Sequence, residues 1–122
     1  MSIEQIKTPI EWLRYINRTP TDQAGKKLAR VTRKATGGLS IVASIALIGL
    51  TGFGQYHVSI CQVEKAAGHC ISTATMMRLV ELGLVDFIMG KKGKEWTLTP
   101  TGRDHATAIQ SALQTLIAKA IK

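Results

Sequence analysis

His57, Cys61, His69 and Cys70 are the residues of this chain that could gather a metal ion, and their spacing argues against it. Structural zinc sites draw on close ligand pairs such as Cys-x-x-Cys, and no standard pattern of that kind occurs here. The two cysteines make no disulfide framework and are expected as thiols in a reducing compartment. Cys70, placed in a turn, is the candidate for a redox-sensing thiol, a role that needs an accessible thiolate near positive charge. Catalysis has little to draw on. No serine–histidine–acid set stands at suggestive spacing, the 8 acidic residues are scattered or sit at capping positions, and Gly52-x-Gly54 is too short for a nucleotide fingerprint. The chain is therefore expected to be no enzyme and to hold neither cofactor nor metal. What remains is chemistry suited to nucleic acid. Ser72, Thr73, Thr75, Met77 and Arg78 combine short hydroxyls, one apolar side chain and one cation, which suit base edges and thymine methyls. Lys91, Lys92 and Lys94 form a tight cationic group suited to phosphates.

These residues are carried by a run from Ser59 to Thr101. Ser59 is placed to cap a helix over about 59–67 that buries Ile60, Val63 and Ala67; Ala66, Ala67 and Gly68 then permit close approach and a tight turn. Ser72 caps a second helix over about 72–82, with Met76, Leu79 and Leu82 facing the core and Leu84 continuing into a sheet. Thr73, Met77 and Arg78 point outward with Thr75 at the edge, and the helix N-terminus offers backbone N–H groups to a phosphate, with His69 beside it as a further backbone contact. Strands over Val85–Met89 and Glu95–Thr99 flank the turn Gly90-Lys91-Lys92-Gly93-Lys94, with Val85, Phe87 and Met89 facing Trp96 and Leu98. Tyr56-His57-Val58 is a short strand that joins this hairpin. Helix, turn, helix and hairpin in that order is the shape of a winged helix-turn-helix, so the expected fold class is α+β, mainly α, with extra N- and C-terminal helices.

The flanks read as follows. Thr8-Pro9-Ile10-Glu11 is a helix start with Thr8 as N-cap and Glu11 closing a capping box, and the helix carries Ile10, Leu13 and Ile16 on one face. Thr19-Pro20-Thr21-Asp22 repeats the device and opens a segment to about Ala35. There Ala24, Leu28 and Val31 face Lys26, Lys27, Arg30, Arg33 and Lys34, which makes either a helix with a thin apolar stripe or a basic arm that orders on a partner. Arg30, Arg33 and Lys34 are candidate backbone contacts, and residues 18–36 fit either dimerisation or DNA contact. Gly37-Gly38 breaks the chain before a buried helix over Leu39–Leu50, which Gly52 and Gly54 end. That run falls short of the ~20 residues a membrane span needs and lies too far from residue 1 for a signal peptide. No membrane association is expected, and the compartment expected is the cytoplasm. After Pro100, Thr101-Gly102 opens a last helix whose Ala106, Ile109, Leu113, Leu116 and Ala120, widened by Ile117 and Ile121, suit packing on another helix. The terminal helices offer more apolar stripe than a small reading head needs, so a homodimer is expected. At 122 residues the chain makes one compact domain, divided into a basic helical segment over 1–36, a core over 37–102 and a C-terminal dimerisation helix over 103–122.

A formal net charge of +8 and a pI near 9.9 favour an anionic partner, double-stranded DNA first. The charge is concentrated at the N-terminal segment and the hairpin, flanking a neutral middle.

The run from Ser59 to Gly102 resembles the DNA-binding lobe of MarR-family transcriptional regulators. The matching pieces are VEKAAG before the turn, IST opening the second helix, RLVELGLV closing it, and LTPTGR after the hairpin. The resemblance implies a homodimer held by N- and C-terminal helices that binds a palindromic operator, most simply as a repressor. It implies that Ser72, Thr73, Thr75, Met77 and Arg78 face the major groove while Lys91, Lys92 and Lys94 reach backbone or minor groove. A small-molecule effector is compatible with such a family, although nothing in the sequence supports one. The alternative is a winged-helix module for sequence-tolerant DNA binding in replication, partition or recombination, or for protein–protein interaction.

Overall fold

The computed structural model describes residues 6–18 and 23–121, so the helix start expected at Thr19–Asp22 lies outside the described residues. The described chain is mainly helical and contains one antiparallel hairpin. Its order is α1 (Pro9–Arg18), α2 (Gln23–Ala35), α3 (Ile41–Leu50), α4 (Ile60–Ala67), α5 (Thr73–Glu81), β1 (Val85–Gly90), β2 (Gly93–Leu98) and α6 (Pro100–Ile121).

Helix α3 is the hub. Ser40 caps it by accepting from the Ala43 N–H at 3.1 Å, and every residue from Ala43 to Leu50 is buried. A helix apolar all round has no solvent face, and α1, α4, α5 and α6 all pack against this one. Burial of each large side chain such as Ile45, Leu47 or Leu50, all at most 1% exposed, contributes about 1.5–3 kcal/mol. Gly49 sets the distance to α4: a Cβ there would lie 3.2 Å from the Ala67 Cβ. The chain leaves α3 through a short 3-10 turn at Thr51–Phe53 and reaches Val58, which makes the single bridge to Trp96 that the sequence suggested as a strand.

Helix α1 starts after Thr8, whose Oγ1 accepts from the Glu11 N–H at 3.3 Å. The carboxylate of Glu11 accepts from the Thr8 hydroxyl rather than from its backbone, so the capping box expected there is only half formed. Helix α2 packs inward through Leu28 as its apolar residues suggest, but with Thr32 in place of Val31. Val31 is 38% exposed, whereas Thr32 is fully buried, accepts from the Trp12 indole N–H at 3.0 Å and donates to the Leu28 carbonyl at 2.7 Å. A helical threonine that returns its hydroxyl to the preceding turn can be buried without an unsatisfied donor.

Helix α6 folds back on its own chain. Ala106, Ile109, Leu113 and Ile117 are buried in contacts with α1, α2, α3 and β2. The part of the predicted stripe from Ala106 to Ile117 thus packs within its own chain, with Leu116 half-buried; Ala120 and Ile121 lie outside the described side chains. The helix is fastened at its start by the LTPTGR segment. Thr99 Oγ1 accepts from the Gly102 N–H at 2.9 Å and donates to the Gly83 carbonyl at 2.7 Å, while the Thr99 N–H donates to the Leu84 carbonyl. Arg103 adds a bond of 2.7 Å to the Gly54 carbonyl. No helix among the described residues is long and apolar enough to cross a membrane.

Candidate nucleic-acid interface

The two helices expected around Gly68 form at the expected places. Ser59 and Gln62 make a complete capping box at the start of α4. Gly68 ends it in the left-handed region at φ 66°, with its N–H donating to Glu64 at 2.8 Å. Glu64 also holds the exit of the turn, since its carboxylate accepts from the Ile71 N–H at 2.8 Å. Ser72 then caps α5 through the Thr75 N–H at 3.1 Å, and its hydroxyl lies 2.9 Å from Thr75 Oγ1. One hydroxyl of the pair donates to the other, which leaves the second hydroxyl's hydrogen free at the exposed helix start.

Helix α5 buries Met76 and Leu79, and leaves Thr73, Ala74 and Arg78 in solvent. Met77 is half-buried against the core rather than outward. Leu82 is 44% exposed, because the helix ends at Glu81 and Gly83, at φ 76°, turns the chain so that Leu84 takes the buried position instead. Ala74, which the sequence pattern does not single out, lies four residues before Arg78 and so on the same face. Arg78 pairs with Glu81 at 3.2 Å with both side chains about two-thirds exposed. Such a surface pair is worth ~0–1 kcal/mol and is easily exchanged for a phosphate or a base edge.

The hairpin is tighter than its glycines suggested. Gly90 pairs directly with Gly93, which leaves only Lys91 and Lys92 in the loop. Gly93 adopts φ 127°, open to glycine. Lys94 consequently leaves the tip: it sits in β2 opposite Met89, with its ammonium 5.7 Å from the Phe87 ring centre. Phe87 in turn packs on buried Trp96, their ring centres 5.3 Å apart. An open groove of about 550 Å³ separates this tip from Ser59 at the start of α4, lined by Lys91, Lys92, Lys94 and Met89 together with the carboxylate-bearing Glu95.

Helix α1 reaches this region, which no local sequence signal indicated because the contact spans 52 residues. Asn17 Nδ2 lies 3.0 Å from His69 Nε2, while His69 Nδ1 lies 2.7 Å from the Cys70 carbonyl. Both ring nitrogens of His69 are thus engaged within the chain. The Arg14 guanidinium lies over Gly68, its Nη1 2.9 Å from where a Cβ would stand, and its Nε is buried without a hydrogen-bond partner. Arg30, Arg33 and Lys34 are exposed on α2 together with Lys26 and Lys27. Cys61 and Cys70 are both free and exposed, and among the described residues no group of three His, Cys, Asp or Glu side chains gathers. Comparison with protein-family models, with curated proteins and with solved structures finds no match to this chain.

Proposed function

We propose that this chain is a winged helix-turn-helix protein that binds double-stranded DNA and regulates transcription at a specific site. The observation that carries the reading is the start of α5. It is capped by Ser72, rigidly seated by Met76 and Leu79, and presents Thr73, Ala74 and Arg78 to solvent. A small methyl, a hydroxyl and one cation on the first turns of an exposed helix suit close approach to base edges in a major groove. The lysine-tipped hairpin follows α5 directly and would serve as the wing, with Lys91 and Lys92 suited to phosphates. A net charge of +8 supports the same partner, and the resemblance to MarR-type regulators points to a repressor on an inverted repeat.

Selection of bound duplexes from a random pool at near-physiological salt tests this. An enriched inverted repeat with half-sites about 10 base pairs apart identifies a dimer reading two turns of the duplex, and a single enriched half-site identifies a monomer. Thr73→Ala should change which sequence is enriched, whereas Lys92→Ala should weaken all sequences alike. Uniform loss from both variants would mean that α5 does not read sequence. Binding without enrichment would favour a sequence-tolerant role.

A further inference from the structure

We infer that the outer face of α2 is a second DNA-contacting surface, laid along the phosphate backbone of the same duplex that α5 and the hairpin engage; the inference rests on that reading. Lys26, Lys27, Arg30, Arg33 and Lys34 are all exposed, and at 3.6 residues per turn they fall within an arc of roughly 120°. The helix carries no acidic residue, and among the described residues the ion pair found is Arg78 with Glu81, elsewhere on the molecule. The face is therefore uniformly cationic.

Nothing in the fold explains this pattern. Arg30 stands three or four positions from each of Lys26, Lys27, Arg33 and Lys34, and like charges at that spacing destabilise a helix. Lys26 lies in the first turn, where the helix dipole disfavours a cation. Attachment to the core comes from the opposite side, through Thr32 and Leu28, so the cations are not needed to seat the helix. Arg33 and Lys34 sit in the last turn, where the helix dipole favours cations, but the crowding of Lys26, Lys27 and Arg30 ahead of them is accounted for by a dense anionic partner. The duplex fits by charge and by length: a helix of 13 residues spans about 20 Å, along which B-DNA presents on the order of ten phosphate charges.

Position favours the same duplex. Trp12 of α1 bonds Thr32 in the second half of α2, so α2 retraces α1 and its first half passes the end of α1 that bears Asn17. Asn17 bonds His69 in the turn that leads into α5. The first half of α2 thus lies towards the end of α1 that bonds the turn before α5. Of the two roles that the sequence left open for residues 18–36, dimerisation or DNA contact, this assigns α2 to DNA contact.

The test is the salt dependence of binding of the full chain to one defined 30-base-pair duplex. Lys26→Gln, Lys27→Gln and Arg30→Gln combined should lower the slope of log K against log salt by about 2 to 3, at ~0.9 per lost phosphate contact, with the preferred sequence unchanged. Lys91→Gln with Lys92→Gln should lower it by its own share, about 2, and the two losses should add. Lys26→Arg with Lys27→Arg should keep the parent slope. An α2 variant that retains the parent slope while the hairpin variant loses its share overturns the inference and leaves the proposed function standing. Absence of duplex binding by the parent chain overturns both. A change in sedimenting mass of the α2 variant, or loss of binding to phosphatidylserine-containing vesicles with the duplex slope intact, assigns the face to a subunit or to lipid and overturns it as well.

Discussion

Replacing Gly102 by alanine should be among the most damaging single-methyl changes in this protein. The added Cβ would stand 1.7 Å from the Leu84 carbonyl oxygen and 2.7 Å from its carbon. The obstacle is backbone, so no rotamer change relieves it, and the start of α6 and Leu84 must separate by roughly 1.5 Å to reach ordinary contact. That movement strains the bonds that fasten α6, namely Thr99 to the Gly83 and Leu84 carbonyls and the Gly102 N–H to Thr99. Overpacking of this kind costs about 1–3 kcal/mol, and each weakened hydrogen bond about 1 kcal/mol. The better helix propensity of alanine returns at most ~1 kcal/mol. A net loss of about 3 kcal/mol is expected, on the order of a 10 °C drop in melting temperature for a domain of this size. Urea and thermal unfolding followed by circular dichroism read it directly. Gly52→Ala is the control, since a Cβ there meets nothing within 4 Å, and it should change stability by less than about 1 kcal/mol. Equal melting temperatures for Gly102→Ala and the parent would refute the packing argument, and with it the account of why LTPTGR needs its glycine.

Two further outcomes follow from α2. Thr32→Val keeps shape but leaves the buried Trp12 indole N–H without its acceptor, so the urea midpoint should fall by the equivalent of about 1–3 kcal/mol; an unchanged midpoint would mean that the bond at 3.0 Å does not anchor α2. Arg30→Gln relieves like-charge repulsion on an exposed face and should stabilise the fold by roughly 0.5–1 kcal/mol at low salt, fading as salt screens it, while weakening duplex binding. Destabilisation by that change would reveal a partner for Arg30 within the fold.

The helices, the turn between α4 and α5 and the hairpin were legible because each is announced locally: Ser59 and Ser72 as caps, Gly68 as a left-handed stop, alternation along the strands. Errors arose where a tertiary contact or a chain reversal overrode periodicity. Extending the α5 pattern to Leu82 failed because the helical period stops at Glu81 and Gly83 redirects the chain. Reading the α2 stripe through Val31 failed because a hydroxyl can be buried when an indole meets it, a pairing twenty residues apart that no local window contains. Lys94 was placed at the tip because the loop length depends on Gly90 pairing Gly93, a register that composition does not fix. The candidate site was harder still. Asn17 and Arg14 reach the turn before α5 only through the packing of α1 on α3.

The composition of the interface constrains how it can work. The fully solvent-facing part of α5 is small: Ser72 and Thr75 bond each other at the cap and Met77 is half-buried, which leaves Thr73, Ala74 and Arg78 as the proposed reading face. Each good base contact discriminates by about 1–3 kcal/mol, so this face alone supports discrimination toward the lower end of what specific DNA-binding proteins reach. The cations are more numerous. Lys91 and Lys92 at the hairpin tip, with the five of α2, offer seven phosphate contacts, enough for a salt slope of about −6 if all are made. On the proposed function, affinity would come chiefly from the backbone, and α5 would choose among duplexes already held. Such a division makes the rigidity of α5 matter more than the number of its contacts. The Glu64 bond to Ile71, the Ser72 cap and the Asn17 contact with His69 all act on the few residues that orient its first turn.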